Sequence, residues 1–167
     1  YVCWPVLTAA VILRRRTVIQ EQNRAPGLVT LLLAPHADRV YLSFEASRDF
    51  LRRGCIEISG NPTRDDLEKG TRAGGLDRFR LSADLRTVFI FGGSQGSRLI
   101  NEVVAARIHE LMSLDAIQLL WACGVRWEET VRAAAGAYEE RIRVLPYIEE
   151  MGDAYAVSDL VVCRSGA

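Results

Sequence analysis

Lysine is almost missing from this 167-residue chain: Lys69 stands alone, and arginine supplies the rest of the 21 basic residues. These are matched by 21 acidic residues, so net charge gives no reason to expect nucleic acid as a partner. Cysteine is sparse and scattered. Cys3, Cys55, Cys123 and Cys163 include no CxxC pair, which argues against a disulfide framework or a clustered metal site and fits a reducing compartment. Three of the four lie in or beside apolar runs, where a free cysteine is expected to act as a small buried hydrophobe. The two histidines, His36 and His109, fall inside helical patterns with no Ser, Cys or ligand at motif spacing, and read as structural. The longest apolar run, Val2–Leu13, contains Pro5 and has 12 residues, against the roughly 20 of a membrane-spanning helix. It stops at Arg14–Arg16, and reads either as a core helix with a solvated end or as a helix on a membrane surface. No signal peptide, repeat or low-complexity segment is visible. The first residue is not Met and the last are "CRSGA", so both ends are expected to be cuts.

What is present is an α/β alternation. "TVFIF" (Thr87–Phe91) reads as a buried parallel strand, and "IQLLWACG" (Ile117–Gly124), "IRVLPYI" (Ile142–Ile148, broken by Pro146) and "DLVVC" (Asp159–Cys163) as further strands. Between them, Leu99 to Met112 repeats apolar residues at helical spacing on one face, Trp127–Arg141 has an amphipathic pattern, and a short helix is expected at Met151–Val157. Strand–helix–strand order with short connections implies right-handed βαβ units. The first half is similar: a helix near Pro5–Leu13, a strand at Thr17–Gln20, a helix over Leu28–Ala37, and strands in "DRVYLSF" and "GCIEISG". The polar, charged stretch Asn61–Arg86 reads as a domain connection, with the boundary near Pro62–Asp65.

In such sheets ligands bind beyond the carboxyl ends of the strands. The loops there are "QEQN", "GNPTR", "GGSQGS" and "SGA". Gly92, Gly93, Ser94, Gln95 and Gly96 offer backbone N–H groups at a helix N-terminus, suited to an anion. The loop is neither a P-loop nor GxGxxG. On pattern alone, a phosphate cradle and a strand-to-helix turn are both open, and Ser94 serves a phosphate or caps the helix. Arg64 either forks onto a diphosphate or pairs with Asp65 or Asp66. Asn23 either bonds a sugar hydroxyl or forms a turn.

Taken together, "EQNRAPG", "GNPTR", "FGGSQGSRLIN" and "YIEEMGDAYAVSDLVVCRSGA" resemble the MurG family in order and interval across essentially the whole chain. That family comprises bacterial peripheral-membrane transferases of cell-wall biogenesis, tied to cell shape and division. They convert lipid I to lipid II in peptidoglycan synthesis. The resemblance implies a GT-B fold of two Rossmann-like domains. Residues 1–63 would be the last part of the acceptor- and membrane-side domain, and 64–167 the first part of the UDP-GlcNAc-binding domain. It places donor contacts at Asn23, Arg64, Ser94, Ile148 and Ala167, with the Gly92–Gly96 loop in support, and calls for no metal or other cofactor. The implied partners are UDP-GlcNAc, undecaprenyl-linked lipid I and the cytoplasmic face of the cell membrane. The family's candidate general base, a His in a glycine-rich loop, would lie before Tyr1, so the chain is expected to be a catalytically incomplete central fragment. Gln20 stands where the family has a His. The alternatives are another GT-B UDP-sugar enzyme such as an epimerase, or a non-catalytic remnant.

Overall fold

Short β-branched and aromatic runs flanked by polar loops favour parallel strands, and the chain builds them: the central strands are covered on both faces, while Leu160–Cys163 and Ile56–Ile58 at the sheet edges are largely exposed. The computed structural model describes residues 3–51 and 53–164. It divides into two compact units, one running to Thr63 and one starting at Arg64. The first unit runs α1 (Cys3–Ile12), β1 (Val18–Glu21), α2 (Leu28–Leu33), β2 (Arg39–Leu42) and β3 (Ile56–Ile58), with strand order β1-β2-β3, all parallel. Its core is Ile19, Leu33, Ala34, Val40, Leu42 and Leu51. Pro35 comes two residues after the end of α2, which continues only as a short 3₁₀ turn at Ala34–His36; the expected helix to Ala37 is cut short because proline supplies no N–H. Helix α1 has no fully buried residue: Leu7 packs partly buried against this core, while Trp4, Val6 and Ile12 are exposed.

The second unit contains α3 (Arg72–Phe79), β4 (Arg86–Phe91), α4 (Arg98–Ala106), α5 (Ile108–Met112), β5 (Ile117–Ala122), α6 (Glu128–Ala135), β6 (Ile142–Leu145), α7 (Met151–Val157) and β7 (Leu160–Cys163). The sheet order is β6-β5-β4-β7, again parallel. Alternation along the strands loads both faces. Ile90, Leu119, Trp121 and Val144 pack with Val104, Ile108 and Val131 on one side. Phe89, Leu120 and Ala122 meet Phe79, Ala154 and Val157 on the other. Trp121, Phe89, Leu119 and Leu120 are wholly buried, each contributing about 1.5–3 kcal/mol of transfer free energy.

Three expectations need correcting. Helix α3 occupies a segment that reads as connection. Its Gly74–Gly75 pair weakens helix propensity, but a Cβ on Gly75 would sit 2.5 Å from the Asp153 carbonyl oxygen, so glycine permits the close crossing of α3 on α7. Thr71 caps α3 by accepting the Gly74 N–H at 3.0 Å, and Asp153 ties the pair by accepting from the Thr71 N–H and Arg78 Nε. Second, the helix expected over Leu99–Met112 breaks at Arg107 (φ −111°, ψ 15°) into α4 and α5, and Leu99 and Val103 stay exposed. Third, Cys123 alone of the four cysteines is buried; burial pushes its thiol pKa up. Cys55 precedes edge strand β3, Cys163 ends edge strand β7, and Cys3 lies on exposed α1, so proximity to an apolar run did not bury them.

Candidate functional site

The loop after β4 is shaped by backbone contact. Gly93 O accepts the Gly96 N–H at 2.9 Å, closing a turn with Ser94 and Gln95 exposed at its tip. Gly96 takes φ +75°, and a Cβ there would lie 2.0 Å from the Cys123 carbonyl oxygen. Gly124 takes φ +89°, with its own missing Cβ 2.5 Å from Gln95 O. The β4 and β5 loops thus touch main chain to main chain, which only glycine allows at these φ values. Helix α4 starts behind the turn. Its N-cap position belongs to Ser97, not Ser94, and no side chain caps it. Exposed Ser94 and the first-turn N–H groups of α4 therefore stand at the carboxyl end of the sheet without a side-chain acceptor among the described residues, the arrangement that favours an anion.

Asn101, within "FGGSQGSRLIN" but not singled out from it, fixes this corner. It is buried, donates Nδ2 to Cys123 O at 2.8 Å and accepts from Trp121 Nε1 at 3.0 Å. A lone Asn on a helical face gives no such signal in sequence, because its partners come from β5 (Trp121) and from the residue that follows it (Cys123).

Arg64 forms the carboxylate pair left open above: Nε donates to Asp66 Oδ1 at 2.9 Å and Nη2 to Asp66 Oδ2. This bond draws the Asp66 pKa below the usual carboxylate range. Arg64 Nη2 also reaches Glu149 O at 3.4 Å, next to Ile148. The Ile148 side chain is only 4% exposed and packs in the core with Phe89 and Leu120. A ligand contact at this position therefore falls to its backbone, whose N–H and C=O carry no hydrogen bond among the described residues. Ala167 lies outside the described residues.

In the first unit, Asn23 is positioned by Glu21, a second residue missed in the sequence. Glu21 is 5% exposed. Its carboxylate accepts from Asn23 N and Nδ2 at 3.0 Å, Gly27 N at 2.8 Å and Thr30 Oγ1 at 2.7 Å. Burial alone would raise its pKa, but the bonds from Thr30, Gly27 and Asn23 outweigh burial and hold the pKa below the ordinary glutamate value. Gln20 spans the strand ends, donating Nε2 to Ser43 Oγ at 3.2 Å and Gly60 O at 3.3 Å. Among the described residues no group of three or more His, Cys, Asp or Glu could hold a metal ion. No described helix is long and apolar enough to cross a membrane.

Comparisons with known proteins agree with this frame. Residues 87–167 match the model of the glycosyltransferase family 28 C-terminal domain. The UDP-N-acetylglucosamine–N-acetylmuramyl-(pentapeptide) pyrophosphoryl-undecaprenol N-acetylglucosamine transferase of Chlorobaculum tepidum is 42% identical over 168 residues, all of this chain and 45% of that protein. The enzyme of the same name from Salinibacter ruber is 36% identical, again over 100% of this chain and 45% of its own length. The crystal structure of Acinetobacter baumannii MurG superposes with a TM-score of 0.69 at 28% identity, over all of this chain and 45% of that one. The fold and these matches define a class, the GT-B glycosyltransferases. Within it, the chain is similar over its full length to members of the MurG family, and spans about half the length of the relatives it matches.

Proposed function

We propose that the chain forms the central part of an inverting transferase that moves GlcNAc from UDP-GlcNAc to lipid I, giving lipid II. Residues 1–63 supply the acceptor side and 64–167 the donor side. Relatives named for this transfer, similar over the chain's full length, support the reading. The observation that carries it is the exposed Ser94 turn in front of the uncapped start of α4. The acceptor hydroxyl oxygen bonds to the anomeric carbon as the carbon–oxygen bond to the diphosphate breaks. UDP leaves with the electron pair, and the hydroxyl proton passes to a base outside this chain. Charge grows on the leaving diphosphate, where oriented N–H groups, Ser94 and Arg64 stabilise it.

The helix dipole provides about 0.3–1 kcal/mol, up to ~2 when partly buried. Loss of one good transition-state donor costs roughly 10²–10³ in rate. Ser94 and Arg64 must therefore carry the larger share. Arg64 reaches a diphosphate by exchanging or sharing its Asp66 partner. Asn23 contacts the donor from its Glu21-held loop, Ile148 through its backbone, and Ala167 completes the set. The chemistry uses no protein-held metal. Exposed Trp4, Val6 and Ile12 of α1 beside Arg14–Arg16 support docking on the cytoplasmic membrane face, each basic residue being worth about 1 kcal/mol near an anionic surface. The test is the full-length protein given labelled UDP-GlcNAc with and without lipid I, in EDTA. Label transfer to lipid I is expected. Conversion of UDP-GlcNAc to its epimer without acceptor, or no turnover, would overturn the reading.

A further inference from the structure

The outer edge of β6 lies in a groove. Strand β6 ends its sheet, and beside it a cavity of about 420 Å³ is walled by Arg78, Phe79 and Arg80 from α3 and its C-cap, and by Arg132, Ala135 and Glu139 from α6 and the turn after it. In the parallel ladder, Arg141 O and Leu145 O accept from Leu119 N of β5 and from Cys123 N just after it. Backbone direction alternates along a strand, so Ile142 and Val144 turn their N–H and C=O groups outward, and neither carries another hydrogen bond among the described residues.

The walls are cationic. Arg78 is paired with Glu150 and Asp153, and Arg132 with Glu128. Arg143 donates Nε to Arg80 O at 3.1 Å and Nη1 to Glu139 O, so its charge meets carbonyls and no carboxylate. Arg80 makes no side-chain hydrogen bond or ion pair among the described residues. Two arginines therefore have no carboxylate partner in the groove, against one acidic wall residue, Glu139.

We propose that this groove docks an extended acidic segment of a partner protein, added to the sheet beside β6. The segment's main chain pairs with Ile142 and Val144, its carboxylates meet Arg80 and Arg143, and its small apolar side chains lie on Phe79 and Ala135. Main-chain pairing gives affinity and the alternating pockets give selectivity.

The full-length protein is titrated with a fluorescein-labelled nonapeptide of alternating Glu and Val, with a Lys–Val peptide as control. Binding of the acidic peptide alone is expected, weakened about tenfold between 0.05 and 0.5 M salt and about tenfold by Arg80→Glu. Saturating peptide should slow amide hydrogen exchange at Ile142 and Val144, and Val144→Pro, which removes an outward donor together with a buried side chain, should weaken binding by a similar factor. No binding, unchanged exchange at those amides, or equal competition by inorganic diphosphate would overturn the proposal. The exchange readout decides the matter if Val144→Pro does not fold.

Discussion

The two units hold their strand-end loops by opposite means. In the first, one buried carboxylate, Glu21, gathers four donors around the Asn23 loop. In the second, glycine-to-carbonyl contact and the Asn101 carboxamide hold the Ser94 turn without an ionisable group. Yet the strand starts are alike. Thr17 N–H donates to Asp38 Oδ2 at 2.7 Å and Asp38 N–H to Thr17 O at 3.0 Å; Thr87 and Asp159 repeat the exchange at 2.7 and 2.9 Å. No repeat is legible in the sequence, but the same threonine–aspartate clamp opens a strand in each unit. The shared fold fixes how a sheet begins, and each unit then holds its strand-end loop in its own way.

The largest test of this contrast is Gly96→Ala. The added Cβ would overlap Cys123 O at 2.0 Å under a positive φ, so a loss of about 4 kcal/mol is expected from denaturant unfolding of the full-length protein. Gly93→Ala, with φ +91° but open space around its Cβ, should lose only about 1 kcal/mol. Equal losses would mean that strain, not contact, shapes the loop.

Glu21→Ala is expected to cost about 3 kcal/mol, because buried donors lose a charged acceptor. Since the folded pKa of Glu21 is depressed, its contribution is present above the unfolded glutamate pKa and is lost as pH falls through the folded value. Below about pH 4, hydrogen exchange at Asn23 and Gly27 should therefore rise, with no matching loosening of Gly96, whose supports do not titrate. Matched loosening of both loops would break the comparison.

A smaller effect separates the two clamps. Thr87 Oγ1 accepts from Gln118 Nε2 at 3.0 Å, whereas Thr17 Oγ1 is buried without a partner among the described residues. Thr87→Val should lose about 1 kcal/mol, and Thr17→Val should leave the melting temperature level or raise it slightly.

The central strands were legible because their composition is dictated by burial on both faces, the exposed Leu160–Cys163 strand by its β-branched run alone, and α7 falls on the expected Met151–Val157. Helix α3 was not, since Gly75 is placed by what it touches on α7 and not by propensity. Likewise Glu21 and Asn101 reveal their roles only through partners that the fold brings to them. The glycine loop itself stood out, but its N-cap is Ser97, which leaves Ser94 at the tip.

That position makes Ser94→Ala the most direct test of the donor-site assignment. GlcNAc transfer to lipid I by the full-length protein is measured alongside its melting temperature. The account predicts a rate loss of about a hundredfold or more, with stability changed by less than about 0.5 kcal/mol. An unaffected rate, or a rate loss that only tracks unfolding, would contradict it.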